Sequence, residues 1–192
     1  MAVPLKSSLP SVTDTKIRKM SLERFREWRP LDGWKYDWND GKTTKYKQMV
    51  TEKQRYIVRN VSRAFTSTES YKQGHDLISE SEMAYDDNRY RVPDMAYYTK
   101  EQTKAAANGE HTVSPFVIEI LSDTDLAKNI EIKLWEYFEE GVKVVWHIIP
   151  YKQIVKVYTS PFQVSICKED EFCNAVAASI DFDMTPNSIF EL

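Results

Sequence analysis

Apolar residues recur along this chain with two different spacings, and the switches between them mark out its elements. From Ser21, the stretch SLERFREW sets Leu22, Phe25 and Trp28 on one side behind a capping serine and an early acid, which predicts a short helix stopped by Pro30. WKYDWNDGKTTKYKQMV then alternates aromatic and polar residues around Asn39-Asp40-Gly41, the pattern of two strands joined by a tight turn. In TEKQRYIVRNVSRAF the helical spacing returns. Thr51 is placed to cap it, Ile57, Val61, Ala64 and Phe65 form an apolar stripe, and Arg55, Arg59 and Arg63 lie elsewhere on its surface.

The middle of the chain is rich in strand patterns. Residues 75–85 and 91–99 flank Asp86-Asp87-Asn88, predicting a second hairpin, and KEQTKAAANGE reads as a short helix or connector ending near Gly109. SPFVIEIL is a nearly unbroken apolar run, as expected of a central strand buried on both faces. A helix follows from Asp125 to Glu140, closed by Gly141, and KVVWHII and QIVKVYT give two strands joined through Pro150. The tail holds SICKEDEF and IDFDM. This order predicts an α/β or α+β fold, a mixed central sheet flanked by helices. Residues 1–15 mix Pro, Ser and Thr without periodicity and read as a flexible arm, leaving 16–192 as one domain.

Charge alters this picture in one respect. The net charge is -3, yet residues 1–65 carry 15 Lys and Arg against 7 Asp and Glu, a balance of +8, while the rest carry 11 against 22, a balance of -11. A basic front half facing phosphates and a simple solvated surface are both consistent with that gradient. No run approaches the roughly 18 apolar residues of a membrane span, and the N-terminus has no secretory apolar segment, so a cytoplasmic protein without membrane contact is expected. Cys167 and Cys173 read as reduced thiols, and nothing calls for an organic cofactor.

Glu119 is the ionisable residue inside the apolar run. A buried carboxylate without compensation costs several kcal/mol or protonates, so an Arg or Lys pair, a hydrogen-bonded protonated form, or a metal ion is required. Asp94, between Pro93 and the strand pattern MAYY, is a second acid, and one divalent cation bridging the two would relieve both. On the following helix, at 100° per residue, Leu126, Ile130, Leu134 and Tyr137 span roughly 80° of surface and Lys133 falls about 20° outside that edge, close enough to turn inward. An ammonium beside two carboxylates stabilises phosphoryl charge or helps activate water. Structural roles stand beside these: turn chemistry for Asp94, a buried pair of Glu119 with Arg91 or Lys133, and a solvated Lys133. Glu80 and Glu82 are placed to add a ligand or to cover an exposed strand face. His147 reads as a packed core histidine, and Trp135, Trp146, Tyr97 and Tyr98 as core or interface aromatics. Glu119 is read as uncompensated by protein, so Glu119→Ala is expected to keep the fold at no cost in stability.

The stretches VPDMAYYT, SPFVIEILSDTD, IKLWEYFEEGVKVVWHIIP and VKVYTS together resemble the Uma-type restriction endonuclease family, related to DUF820, of the PD-(D/E)XK nuclease superfamily. The marks are Asp94, Glu119, Ser122, Lys133 fourteen residues after the glutamate, Tyr137, Gly141, Trp146 and Pro150, with DGWKYDWNDG matching a further segment upstream. The resemblance runs over residues 20–160 and implies a restriction-endonuclease-like core. It also implies Mg2+ or Mn2+ held by Asp94, Glu119 and the carbonyl of Ile120, with Lys133 as the catalytic lysine, DNA as substrate, and a homodimer. The chain departs from the pattern twice. The wider superfamily places its lysine two residues after the acid, where this chain has Leu121, and Asp37 stands where the family has glutamate, which makes it a further site candidate. The competing reading is a nuclease fold without catalysis, serving as a DNA-binding or assembly module.

Overall fold

Local hydrogen bonds start the helices where the sequence provides caps. In the computed structural model, which describes residues 18–28, 30–31, 34–39, 41–48, 51–86, 89–123 and 125–192, the Ser21 hydroxyl accepts from the Arg24 N–H at 3.3 Å and opens α1 (Leu22–Glu27). Gln54 Oε1 accepts from the Thr51 N–H at 3.0 Å, leading through a short 3-10 turn into α2 (Arg55–Phe65). Thr68 caps α3 (Glu69–Lys72), and a reciprocal pair of bonds between Thr99 and Gln102 caps α4 (Lys100–Ala107). The proposed N-terminal arm, residues 1–15, lies outside the described residues.

Among the described residues, β1 (Arg18–Lys19), β2 (Trp34–Asn39), β3 (Lys42–Gln48), β5 (Met83–Asp86) and β6 (Arg89–Arg91) form one sheet in the order β1-β3-β2-β6-β5, after β4 (Asp76–Ser79) has been laid elsewhere. That elsewhere is a six-stranded sheet, ordered β11-β10-β9-β8-β7-β4, whose other members are β7 (Met95–Tyr98), β8 (Phe116–Ile120), β9 (Val144–Ile149), β10 (Ile154–Ser160) and β11 (Gln163–Lys168). Among the described residues, only β8 and β9 run parallel, and the long connection between them contains α5 (Ala127–Glu139). A small pair, β12 (Cys173–Asn174) with β13 (Asp183–Met184), and α6 (Pro186–Ile189) finish the chain.

Two sequence expectations are corrected here. Residues 75–85 are not one hairpin arm: Glu80, at φ +52°, turns the chain, so β4 pairs with β7 in the large sheet and β5 with β6 in the small one. Between Arg91 and Met95 the chain passes from one sheet to the other through Pro93, which has no N–H for a ladder bond. The helix expected from Asp125 begins instead at Ala127, because Asp125 Oδ2 accepts the Ser122 N–H at 2.8 Å and closes the preceding turn.

The central strands of the large sheet, β7, β8 and β9, are buried on both faces, which explains the apolar continuity of β8. Ile118, Ile120, Trp146 and Ile148 pack with Ile57, Val61 and Phe65 of α2 and with Phe182, whose ring stacks on Trp146 at 5.5 Å. Ala96, Tyr98, Val117 and Val145 pack on the other side with Leu134 and Tyr137 of α5. Each Ile, Val, Leu or Phe among them contributes about 1.5–3 kcal/mol on burial. The small sheet has its own centre in Phe25, Trp38 and Tyr90, and is tied to α5 by Arg91 Nε on Glu136 Oε2 at 2.8 Å and Arg89 on Glu140 at 2.6 Å.

Candidate active site

Strand register places the two acids. Met95 is paired with Ile118 and Ala96 with Val117, so one further step sets Asp94 opposite Glu119. Glu119 is in turn paired with His147 on the parallel neighbour. Directly opposed residues share a face, so Asp94, just before β7, lines up with Glu119 of β8 and His147 of β9 on the side covered by α5.

All three are withdrawn from solvent, with Asp94 0%, Glu119 2% and His147 3% exposed. Asp94 Oδ2 accepts the Ile120 N–H at 2.6 Å, and its own carbonyl accepts the Glu80 N–H at 3.0 Å. The carboxyl is thereby held to the end of β8. Lys133 is 8% exposed, and its Nζ lies 2.6 Å from Glu119 Oε1, a geometry only an inward-turned side chain permits. The same oxygen accepts the Tyr137 hydroxyl at 2.6 Å. Lys133 and Tyr137 are four residues apart and so lie on one helix face, over the strand acid.

A narrow cleft opens beside this cluster, lined by Glu119, Lys133, His147, Leu121, Asp125 and Ile130 among others. Leu121, which holds the usual lysine position, sends its N–H to the Ile148 carbonyl at 2.8 Å and contributes only an apolar wall. Glu80 adjoins Asp94 through the backbone bond above, and its side chain and that of Glu82 are exposed. Asp37 is paired with Thr44 in β2, and its side chain lies outside the described residues.

Sequence reasoning missed two features of the cluster. Tyr137 reads from the sequence as part of the packing stripe and as a mark of the family resemblance, with no partner for its hydroxyl, although its spacing of four from Lys133 places that hydroxyl over the same acid. His147 does pack, with its ring 5.0 Å from Tyr158, but it also borders the cleft beside Glu119. The register that brings it there is set by a parallel pairing across a long connection, which no local pattern encodes.

A metal ion is the group that the acid pair suggests, and the donor set suits it. The carboxylates of Asp94 and Glu119 are hard oxygen donors, of which an ion such as Mg2+ takes one or two while keeping several waters. Among the described residues, no group of three or more His, Cys, Asp or Glu that could hold a metal ion is found.

The family model described as Uma2, "Putative restriction endonuclease", matches residues 22–179. Among solved structures, the chain is similar to one titled as a "putative nuclease belonging to DUF820" from Anabaena variabilis, with 18% identity, a TM-score of 0.71, and coverage of 89% of this chain and 97% of that one. At that identity the likeness establishes the fold. No curated protein matches the chain.

Proposed function

The chain belongs to the Uma2 family of restriction-endonuclease-like proteins, and from that premise we propose that it is a metal-dependent endonuclease hydrolysing phosphodiester bonds of DNA, with Asp94 and Glu119 as metal ligands and Lys133 assisting. The observation that carries this reading is the convergence of Asp94, Glu119 and the Lys133 ammonium on one face of the sheet, 2.6 Å separating Lys133 Nζ from Glu119 Oε1. The lysine missing at Leu121 is supplied from the helix.

Asp94, Glu119 and the Ile120 carbonyl are the groups that would hold Mg2+ or Mn2+. Such an ion, when bound, supplies a Lewis acid and lowers the pKa of its water. The chain's own residues do the rest. The Ile120 N–H fixes the Asp94 carboxyl, the low exposure of the cluster excludes bulk water, and Lys133 stands ready to offset charge that grows on the phosphate oxygens. α2 packs by its apolar stripe on the face of the large sheet opposite this cluster, so its exposed arginines are not part of the cluster.

We read the working unit as a homodimer. β11 is an edge strand, and Val164 and Ile166 are exposed on it beside Phe162, whose ring meets Trp135 edge-on at 4.9 Å. Among the described residues no strand pairs with the outer edge of β11, and an exposed apolar strip along such an edge suits a second copy of the chain.

A second reading is favoured by one observation: Lys133 and Tyr137 already offset the burial of Glu119, as they would in a non-catalytic DNA-binding or assembly module. One experiment separates the two. Mn2+ is titrated calorimetrically into the wild type, Asp94→Asn and Glu119→Gln, and plasmid cleavage is followed with the same proteins. The nuclease reading expects Mn2+ binding and Mn2+-dependent cleavage in the wild type and neither in the variants. DNA binding without metal binding or cleavage establishes the module instead.

A further inference from the structure

We propose that Tyr137 is a positioning residue that decides which oxygen of Glu119 is presented to a cation; this rests on the reading of Glu119 as a metal ligand. Tyr137 is fully buried on α5, and its hydroxyl and the Lys133 ammonium both reach Oε1 of Glu119, each at 2.6 Å. A carboxylate facing a single ammonium is free to swing either oxygen toward it, or to straddle it with both. Two donors converging on one oxygen remove that freedom. Lys133 and Tyr137 both engage Oε1, so Oε2 is the oxygen that would face a cation.

The tyrosine ring acts on the lysine as well. Lys133 Nζ lies 5.6 Å from the ring centroid, within reach of the attraction between an ammonium and an aromatic face. Tyr137 thus holds both members of the pair, the acid through its hydroxyl and the ammonium through its ring. Packing alone does not require the hydroxyl, since the same buried stripe is filled at Leu134 by a side chain with no polar atom. Phenylalanine would keep the ring, the cation contact and the volume, and lose only the donor to Glu119. The donor is therefore the part that can be tested by itself.

The test measures Mn2+ binding by calorimetry in the wild type, Tyr137→Phe and Glu119→Gln, with melting of each metal-free protein followed by circular dichroism. Glu119→Gln is expected to abolish binding. Tyr137→Phe is expected to weaken it about 10- to 100-fold, as is typical when a group orienting a metal ligand is removed, with a metal-free melting temperature shifted by no more than a few degrees. Saturating Mn2+ is expected to restore most of its cleavage rate, since the reacting groups are intact. Equal Mn2+ affinity in the wild type and Tyr137→Phe overturns the proposal while leaving Glu119 as a ligand. A wild type that binds no Mn2+ overturns the underlying reading of Glu119, and the proposal with it. If Tyr137→Phe does not fold, 3-fluorotyrosine installed at position 137 keeps the shape and changes the donor strength of the hydroxyl; an unchanged Mn2+ affinity then overturns the proposal and a changed one supports it.

Discussion

Arg91 of β6 grips Glu136 of α5, with Nε 2.8 Å from Oε2 and the second guanidinium nitrogen on the same oxygen, and so fastens the small sheet to the helix that carries Lys133 and Tyr137. Both side chains are mostly withdrawn from solvent, so water screens the pair less than a surface pair. Arg91→Ala is expected to lower the unfolding free energy by about 1–3 kcal/mol. Urea denaturation checks this, and a change below a few tenths of a kcal/mol would mean that the hydrophobic contacts alone hold the two parts together.

How much of this was legible in the sequence depended on the range of the interaction. Ser21, Thr51 and Gly141 act within a few residues of themselves, and the ends of their helices followed. The continuous apolar run of β8 reported burial on both faces, and Lys133 at the edge of the α5 stripe turns inward. The split of residues 75–85 between two sheets was hidden, because pairing partners twenty residues apart decide it and both halves have the same alternation. For the same reason Arg91 was weighed as a partner of Glu119. It goes to Glu136, once β6 has joined the small sheet.

Lys133→Met separates catalysis from metal holding. Lys133 is expected to act on phosphate or water and not to ligate the ion, so its loss should cost about 2–4 kcal/mol in the transition state, roughly a hundredfold or more in rate. Mn2+ affinity should change little, because the loss of one of the two donors that orient Glu119 is offset by the loss of a cation competing for it. Single-turnover cleavage and calorimetry on the same protein decide the matter. If rate and affinity both stay at wild-type values, Lys133 only balances the charge of Glu119.

Burial pushes the thiols of Cys167 and Cys173 up from their ordinary range, Cys173 further. The thiolate is the reactive form, so iodoacetamide at neutral pH is expected to label neither cysteine in the native protein and both in denaturant. Mass spectrometry reads the outcome. Rapid labelling of the native chain would contradict the burial of Cys167 and Cys173 in the core.

The homodimer predicts a particle of twice the 22.5 kDa chain in light scattering at micromolar concentration. Ile166→Lys puts a charge in the middle of the exposed strip on β11 and is expected to weaken dimerisation at least tenfold, about 1.4 kcal/mol, with folding unaffected because the side chain is already 56% exposed. A wild type that scatters as a monomer removes the homodimer from the model of action. A dimer that Ile166→Lys leaves intact moves the interface away from this edge.

Glu119→Ala tests how the buried acid is compensated, and here the structure reverses an expectation drawn from the sequence. An uncompensated carboxylate in an apolar strand could be removed at no cost. Glu119, however, is held by Lys133 at 2.6 Å in a site where both side chains are nearly inaccessible. Removing the acid strands an ammonium, and breaking a buried pair from one side typically costs about 3–5 kcal/mol. Replacing both charges removes that cause, since two apolar groups need no partner, so Glu119→Ala combined with Lys133→Met should be clearly more stable than Glu119→Ala alone. The four proteins of this cycle, unfolded in urea, give the coupling directly. If the double variant is no more stable than Glu119→Ala, the two side chains do not act as a pair, and the charge of Glu119 is offset by something other than Lys133.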